Sequence, residues 1–315
     1  MNIHRSKNID FDVASNPEFL REGQAVCDFP HPDRIVIGVQ NEKAENLLRE
    51  IYEPIINCNF NCPIHSGNSC SENELVRLIV TDINSAELIK HASNSFLAMK
   101  ISFINAIADI CEMTGANVRD VAHGIGLDKR IGRDFLRAGI GFGGFCLPKD
   151  IQSFIKITKR LGYDFKLLRE VEKINEQRIV KVIEKLKRKL STLKGKTIGL
   201  LGLSFKPDTD DIRFSPALKI AQFLLKQGAI VKGYDPEAMG KAEKEFTEVL
   251  YCKNAYQTAE KTEALIICTE WEEFKNLDWK QIKSIMIYPF IVDGRNMLIK
   301  EQMIKVGFEY VGIGI

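Results

Sequence analysis

Cys146 has the strongest chemical prospects in this sequence. It stands directly behind a run with four glycines, Gly139-Ile-Gly-Phe-Gly-Gly-Phe-Cys, and ahead of Lys149 and Asp150. Glycine permits positive φ and close approach of a ligand to backbone. A thiol between such a loop and a lysine is a candidate for a lowered pKa and so for a nucleophile. A glycine-rich turn around a structural cysteine fits the same residues, and composition alone leaves both readings open. Lys90 and Asn94 are spaced to share one helix face amid Leu88, Ile89, Phe96 and Leu97. A face meant only for packing would not hold a lysine and an amide, so they are functional candidates, or else a solvated face. The run Asn16-Pro-Glu-Phe-Leu-Arg-Glu22 carries Glu18, suited to acid–base work, and Glu22, suited to an ion pair with Arg21 or Arg34. Both carboxylates fit a plain surface equally. Lys206, Arg213 and Arg295 follow strand-like segments and are candidate anion contacts or solvated cations. Cys58, Cys62, His65 and Cys70 form a C-x3-C-x2-H-x4-C run, a weak zinc candidate without the tight C-x2-C start. The expectation is a thiol loop with no metal.

The elements that must position these residues follow from pattern. Residues 10–15 and 34–39 read as short strands, 41–51 as a helix and 57–74 as a polar loop. Apolar residues at helical spacing run from 82 to 113, about 45 Å of helix, longer than one domain needs. Helices are expected over 117–124, 151–161 and 167–190, the last with a basic end (Lys185, Lys187, Arg188, Lys189) facing solvent. From Lys194 the pattern alternates strand and helix. Strands are expected at 196–203, 229–235, 264–269 and 290–293, and helices at 216–227 and 296–306. That alternation predicts a parallel α/β sheet. No GxGxxG lies in a strand–turn–helix setting, so the strict dinucleotide fingerprint is absent from these residues.

The chain has 315 residues, 45% hydrophobic and 27% charged, with 44 Lys plus Arg against 42 Asp plus Glu. A formal net charge of +2 offers no electrostatic case for nucleic-acid binding. No run of membrane-spanning length, secretory signal or disulfide framework is evident, so a reducing cytoplasm is the expected location.

Taken in order, NPEFLREG (16–23), HPDRIVIG (31–38), SAELIKHASNSFLAMKISFINAIADIC (85–111), GIGLDKRIG (124–132), GFGGFCLPKD (141–150), LGLSFKPDTDDIRFSPAL (201–218), TEWEEF (269–274) and VDGRN (292–296) resemble the UDP-glucose 6-dehydrogenases. The wider family includes GDP-mannose and UDP-N-acetylmannosamine dehydrogenases. The resemblance implies a remnant of an N-terminal Rossmann-like NAD-binding domain (1–80), a central all-helical dimerisation and catalytic domain with a long spine helix (81–192), and a C-terminal Rossmann-like UDP-sugar-binding domain (193–315). It implies oxidation of C6 of UDP-glucose through aldehyde to acid, with NAD as cofactor and UDP-glucuronate as product. Cys146 matches the nucleophile, Lys90 the oxyanion-stabilising lysine, Asn94 its hydrogen-bonding partner, Asp150 the water-positioning aspartate and Glu18 the acid–base glutamate. Phe19, Leu20, Arg130, Phe135, Leu136, Gly143, Phe205, Lys206 and Arg295 match substrate contacts. Glu22, Lys149 and Arg213 match positions on the cofactor side.

The resemblance also implies a homodimer and departures from the family. The usual nucleotide-binding strand and glycine fingerprint ahead of NPEFL are missing from the sequence. This raises the expectation of a separately encoded N-terminal half, a truncated product or an upstream start. The alternative is an inactive truncated remnant that binds UDP-sugar or oligomerises, or a dehydrogenase for another nucleotide sugar such as UDP-N-acetylmannosamine or GDP-mannose. Residues 57–74 look longer than the usual linker, and Phe145 replaces a small residue, often serine, before the nucleophile.

Overall fold

The computed structural model of the protein describes residues 11–60 and 76–315. The chain forms two compact units, Met1–Ser93 and Asn94–Ile315.

The first unit contains α1 (Ala25–Asp28), β1 (Arg34–Gly38), α2 (Glu42–Ile56) and β2 (Arg77–Thr81), and it holds the start of α3 (Ile83–Thr114). Strands β1 and β2 pair in parallel, Arg34 opposite Arg77 through Gly38 opposite Thr81. The stretch RLIVT was not read as a strand from sequence, although its β-branched run carries the signal. The strand expected over residues 10–15 is instead a single antiparallel bridge, Ser15 to Gly38. Phe11 and Val13 remain exposed there, so no buried face drives a ladder. Helix α2 outruns its expected end and contains Pro54. Asp82 caps α3, accepting from the Ser85 N–H at 2.9 Å. Gly38 lets the helix approach, since a Cβ there would lie 2.6 Å from that of Ala86.

The second unit continues α3 and adds α4 (Val118–Gly126), α5 (Cys146–Arg160) and α6 (Lys166–Leu190). Helix α5 begins at Cys146 rather than near residue 151, as expected from the sequence. Pro148 occupies its third position, where a missing N–H costs nothing. Next come β3 (Thr197–Leu201), α7 (Pro216–Lys226), β4 (Ile230–Tyr234), α8 (Met239–Glu245), β5 (Leu250–Tyr251), α9 (Ala255–Ala259) and β6 (Ala264–Ile267). The chain continues through α10 (Glu272–Lys275), α11 (Trp279–Ile285), β7 (Phe290–Asp293), α12 (Lys300–Val306) and β8 (Glu309–Val311). Helix α12 is shorter than the expected 296–306, because Asp293 accepts the N–H groups of Arg295 and Leu298 and holds that stretch as a turn.

The sheet order is β5-β4-β3-β6-β7-β8 and every pair is parallel. This is the doubly wound order, with its switch point between β3 and β6, where such sheets bind ligands beyond the strand C-termini. Strands β6 and β7 are buried at every residue, which explains their unbroken apolar runs. One face packs Leu200, Ile266 and Val292 with Ile104 and Ala108 of α3 and Val182 and Leu186 of α6. The other packs Leu265 and Ile291 with Phe274, Trp279 and Met303.

The basic end of α6 does not simply face solvent. Lys185 is buried and pairs with Glu112 at 2.5 Å, Lys187 reaches Gln227 and Lys189 pairs with Glu309. Arg178, 1% exposed, pairs with Asp109 at 2.7 Å. Among the described residues no helix is long and apolar enough to cross a membrane.

Candidate active site

In the first unit, the segment before α1 is anchored by Asn16, whose Nδ2 donates to the Val36 carbonyl at 2.8 Å. Glu18 folds back so that its Oε2 accepts from the Leu20 N–H at 2.7 Å. The Lys90 ammonium donates to the Glu18 carbonyl at 2.6 Å and to its Oε1 at 3.1 Å. The Phe19 ring carries two cations, Arg34 at 3.9 Å and Lys90 at 5.3 Å. A carboxylate and an ammonium are thus held together, the ammonium facing an aromatic ring. Glu22 is half-buried, and Arg21 takes Asp28 as its carboxylate at 2.6 Å.

In the second unit, the glycine loop is gripped at nearly every peptide. The Gly139 N–H donates to Asn105 Oδ1 at 2.8 Å, and its carbonyl accepts from Arg178 Nε at 3.3 Å. Asn175 takes both backbone groups of Phe142, at 2.8 and 3.0 Å. The Gly144 N–H donates to the Arg213 carbonyl at 2.9 Å. Gly144 has φ +74°, and a Cβ there would lie 2.8 Å from the Phe205 ring. At Gly143 a Cβ would meet the Phe214 carbonyl at 2.6 Å.

This loop delivers Cys146, exposed, as the first residue of α5. The N-terminal end of a helix favours negative charge. Asp150 follows one turn later, on the same helix face and 6% exposed. Its Oδ2 accepts from Asn94 Nδ2 at 2.5 Å, and its Oδ1 lies 3.3 Å from Lys149 Nζ. An exposed thiol followed by a buried, oriented carboxylate has the makings of a nucleophile and a water-activating base.

The switch point of the sheet lies beyond Leu201 and Ile267. Gly202 has φ +92° there, and a Cβ would come 2.4 Å from that of Thr269. Phe205 and Lys206 follow on this loop, with the Lys206 ammonium over the Phe205 ring at 5.7 Å. Arg295 donates to the carbonyls of Cys268 (2.7 Å), Phe205 (3.1 Å) and Gly141 (3.4 Å), and its Nε lies 3.3 Å from Glu270. It ties the loops after β3 and β6 to the glycine loop. Burial pushes the Cys268 thiol up to about 12, so this cysteine is inert. The Asp235 carboxylate at the end of β4 is wholly buried. It accepts from the N–H groups of Leu203, Ser204, Glu237 and Ala238, from the Ser204 hydroxyl and from Trp271 Nε1.

The guanidinium of Arg130 is occupied by Asp128 at 2.6 Å and is largely exposed. Phe135 has φ +62° and is exposed, whereas Leu136 is buried. Of the thiol–histidine run, Cys58 is exposed, and Cys62, His65 and Cys70 lie outside the described residues. Among the described residues no cluster could hold a metal ion. Sequence reasoning missed the loop's supports, Asn105, Asn175 and Arg178. Their signal was present as polar side chains on otherwise apolar helix faces, Asn105 standing between Ile101, Ile104 and Ala108.

Three models of one family match the chain. Residues 1–56 match the NAD binding domain of the UDP-glucose/GDP-mannose dehydrogenase family, 84–177 its central domain and 199–300 its UDP binding domain. A UDP-glucose 6-dehydrogenase of Rickettsia typhi is 45% identical over 313 residues, 98% of this chain and 68% of that protein. One from Bacillus subtilis is 45% identical over 96% of this chain and 62% of its own length. The solved UDP-glucose dehydrogenase of Pyrobaculum islandicum superposes with a TM-score of 0.85 at 36% identity, covering 97% of this chain and 64% of that one. The chain thus spans roughly two thirds of the length of these relatives.

Proposed function

The chain belongs to the UDP-glucose/GDP-mannose dehydrogenase family, and from that premise we propose that it carries out the NAD-dependent oxidation of UDP-glucose to UDP-glucuronate, with Cys146 as nucleophile. The observation that carries this reading is the placement of Asp150, buried and held by Asn94, one turn behind the exposed Cys146 thiol on α5.

In this reading C6 of the sugar is first oxidised from alcohol to aldehyde, losing a hydride and a proton. The Cys146 sulfur then adds to the carbonyl carbon, giving a thiohemiacetal, and loss of a second hydride leaves a thioester. Water, oriented by the Asp150 carboxylate, attacks that carbon. The thiolate leaves and the acid is released. NAD, when bound, is the acceptor of each hydride. The paired cations Arg213 and Lys149 fit a group bearing phosphates, and we assign them, with Glu22, to the cofactor side. Lys90, steadied by Glu18, and Asn94 supply donors to developing oxyanions. Glu18 serves acid–base work in hydrolysis. Phe19, Leu20, Arg130, Phe135, Leu136, Gly143, Phe205, Lys206 and Arg295 are assigned to the sugar nucleotide, Arg295 acting by holding three loop carbonyls.

UDP-glucose is favoured over other nucleotide sugars because relatives at 45% identity are named for it. We further propose a homodimer, supported by exposed Phe96, Phe103 and Ile110 at seven-residue spacing along α3. A reducing cytoplasm is favoured by the buried thiols Cys111, Cys252 and Cys268. The family's NAD binding domain is matched over residues 1–56, and we propose that turnover also draws on a complementary segment with the glycine fingerprint of dinucleotide binding.

The test mixes purified chain, UDP-glucose and NAD, with and without such a segment, and follows NADH and UDP-glucuronate. Two NADH per glucuronate are expected. Tight UDP-glucose binding without NADH under both conditions would instead leave a non-catalytic sugar-nucleotide binder.

A further inference from the structure

Two cations converge on one aromatic ring beside the thiol. The Arg213 guanidinium lies 4.6 Å from the Phe145 ring centroid, and the Lys149 ammonium lies 5.1 Å from it. Each is also tied to Phe145 through backbone. The Lys149 N–H donates to the Phe145 carbonyl at 3.2 Å, and the Arg213 carbonyl accepts from Gly144, the residue just before Phe145. Both cations have carboxylate neighbours, Asp211 at 2.8 Å from Arg213 and Asp150 at 3.3 Å from Lys149. Yet the Arg213 side chain is 52% exposed and that of Lys149 48%. The Asp211 carboxylate forks onto Arg213 (Nε–Oδ1 2.9 Å, Nη2–Oδ2 2.8 Å) and holds one edge of its guanidinium, whereas the half-exposed Lys149 pair does little to fix that long side chain. A shared π-face adds a second constraint to each.

We propose that Phe145 is a positioning residue: its ring gathers Arg213 and Lys149 beside Cys146 and so forms a cationic corner for an anionic group of the cofactor. The inference rests on the dehydrogenase reading only for the identity of that anion. The ring itself is well placed for the task. It follows a glycine loop pressed against Phe205 and the Phe214 carbonyl, and it leads directly into α5. Its bulk, a departure from the small residue of the family pattern, is here a platform.

The test compares Phe145→Leu, which keeps an apolar side chain but removes the π-face, with Phe145→Tyr, which keeps the ring. The first readout needs no turnover. The rate of Cys146 alkylation by anionic iodoacetate is divided by the rate with neutral iodoacetamide, measured by mass spectrometry on the peptide carrying Cys146. Two gathered cations favour the anionic reagent, so the ratio is expected to fall about three- to tenfold in Phe145→Leu and to stay near wild type in Phe145→Tyr. The second readout, in the complemented enzyme, is a KM for NAD that rises more than kcat falls in Phe145→Leu only. An unchanged alkylation ratio in Phe145→Leu, or an equal loss in both variants, overturns the proposal. Absence of NADH from the complemented wild-type enzyme overturns the oxidoreductase reading instead and leaves the alkylation ratio to decide on Phe145.

Discussion

Asn94 Nδ2 donates to Asp150 Oδ2 at 2.5 Å, a bond between two buried side chains that fixes one carboxylate oxygen of α5 in place. The amide of Asn94 therefore acts on Asp150, whereas the family resemblance implies a hydrogen-bonding partner for Lys90, whose ammonium is bound to Glu18. If Asp150 orients the hydrolytic water, Asp150→Asn should lower kcat by about 10²- to 10⁴-fold. The thioester should then accumulate on Cys146. Intact-protein mass spectrometry after mixing with UDP-glucose and NAD should show the added uridine-diphospho-glucuronyl mass. A slow variant without that adduct would remove Asp150 from the hydrolytic step.

Cys146→Ser should abolish UDP-glucuronate formation, with a loss of at least about a thousandfold, while UDP-glucose binding measured by calorimetry stays within a few-fold of wild type. A variant that still makes the acid at wild-type rate would dismiss the thiol as nucleophile.

Gly202→Ala forces a side chain into a left-handed conformation with a contact 2.4 Å from the Thr269 Cβ. The expected cost is about 2–4 kcal/mol, read as a lower urea midpoint. UDP-glucose affinity should fall as well, because the same turn carries Phe205 and Lys206. Wild-type midpoint and affinity would show that the switch-point turn tolerates a side chain.

Asp109→Asn strands the Arg178 guanidinium, 1% exposed, without its carboxylate. Removing one member of a buried pair costs about 3 kcal/mol or more. Because Arg178 also holds the Gly139 carbonyl, iodoacetamide should alkylate Cys146 at a changed rate. Unfolding and alkylation indistinguishable from wild type would show that the pair is dispensable.

Burial opposes the charge of Glu112, but the Lys185 ammonium and the Gly314 N–H outweigh it and hold the carboxyl below its ordinary value of 4.5. A carboxyl lowered on folding contributes stability above its unfolded value, and that contribution fades as pH falls through the folded value. Glu112→Gln should therefore lie below wild type at pH 7, by about 2 kcal/mol. The two should converge as pH falls below 4.5. Melting curves from pH 7 to 3 report the gap, and a constant separation across that range would contradict the linkage.

The parts of this fold written most plainly in the sequence were those set by continuous burial. ALII and FIVD are apolar without interruption because both faces of β6 and β7 are covered. The thiol, its glycines and the two polar residues of α3 were also legible, since chemistry of that kind stands out against an apolar pattern. The start of α5 was not. A proline suggested a break, and its harmlessness in a first turn depends on a helix start that sequence alone does not locate. Strand β2 was overshadowed by the polar stretch before it. The grip of Asn175 and Arg178 on the glycine loop comes from residues more than thirty positions away, and no local pattern encodes such a meeting.

Asp235 occupies the end of the second strand of a sheet wound like those that hold dinucleotides, where a carboxylate commonly greets a ribose hydroxyl. Here six donors from its own chain already use both its oxygens. That carboxylate therefore staples the loop after β3, the turn into α8 and Trp271 to one point. Neutralising it would loosen three segments at once, so the rim of the crevice stands or falls as a unit.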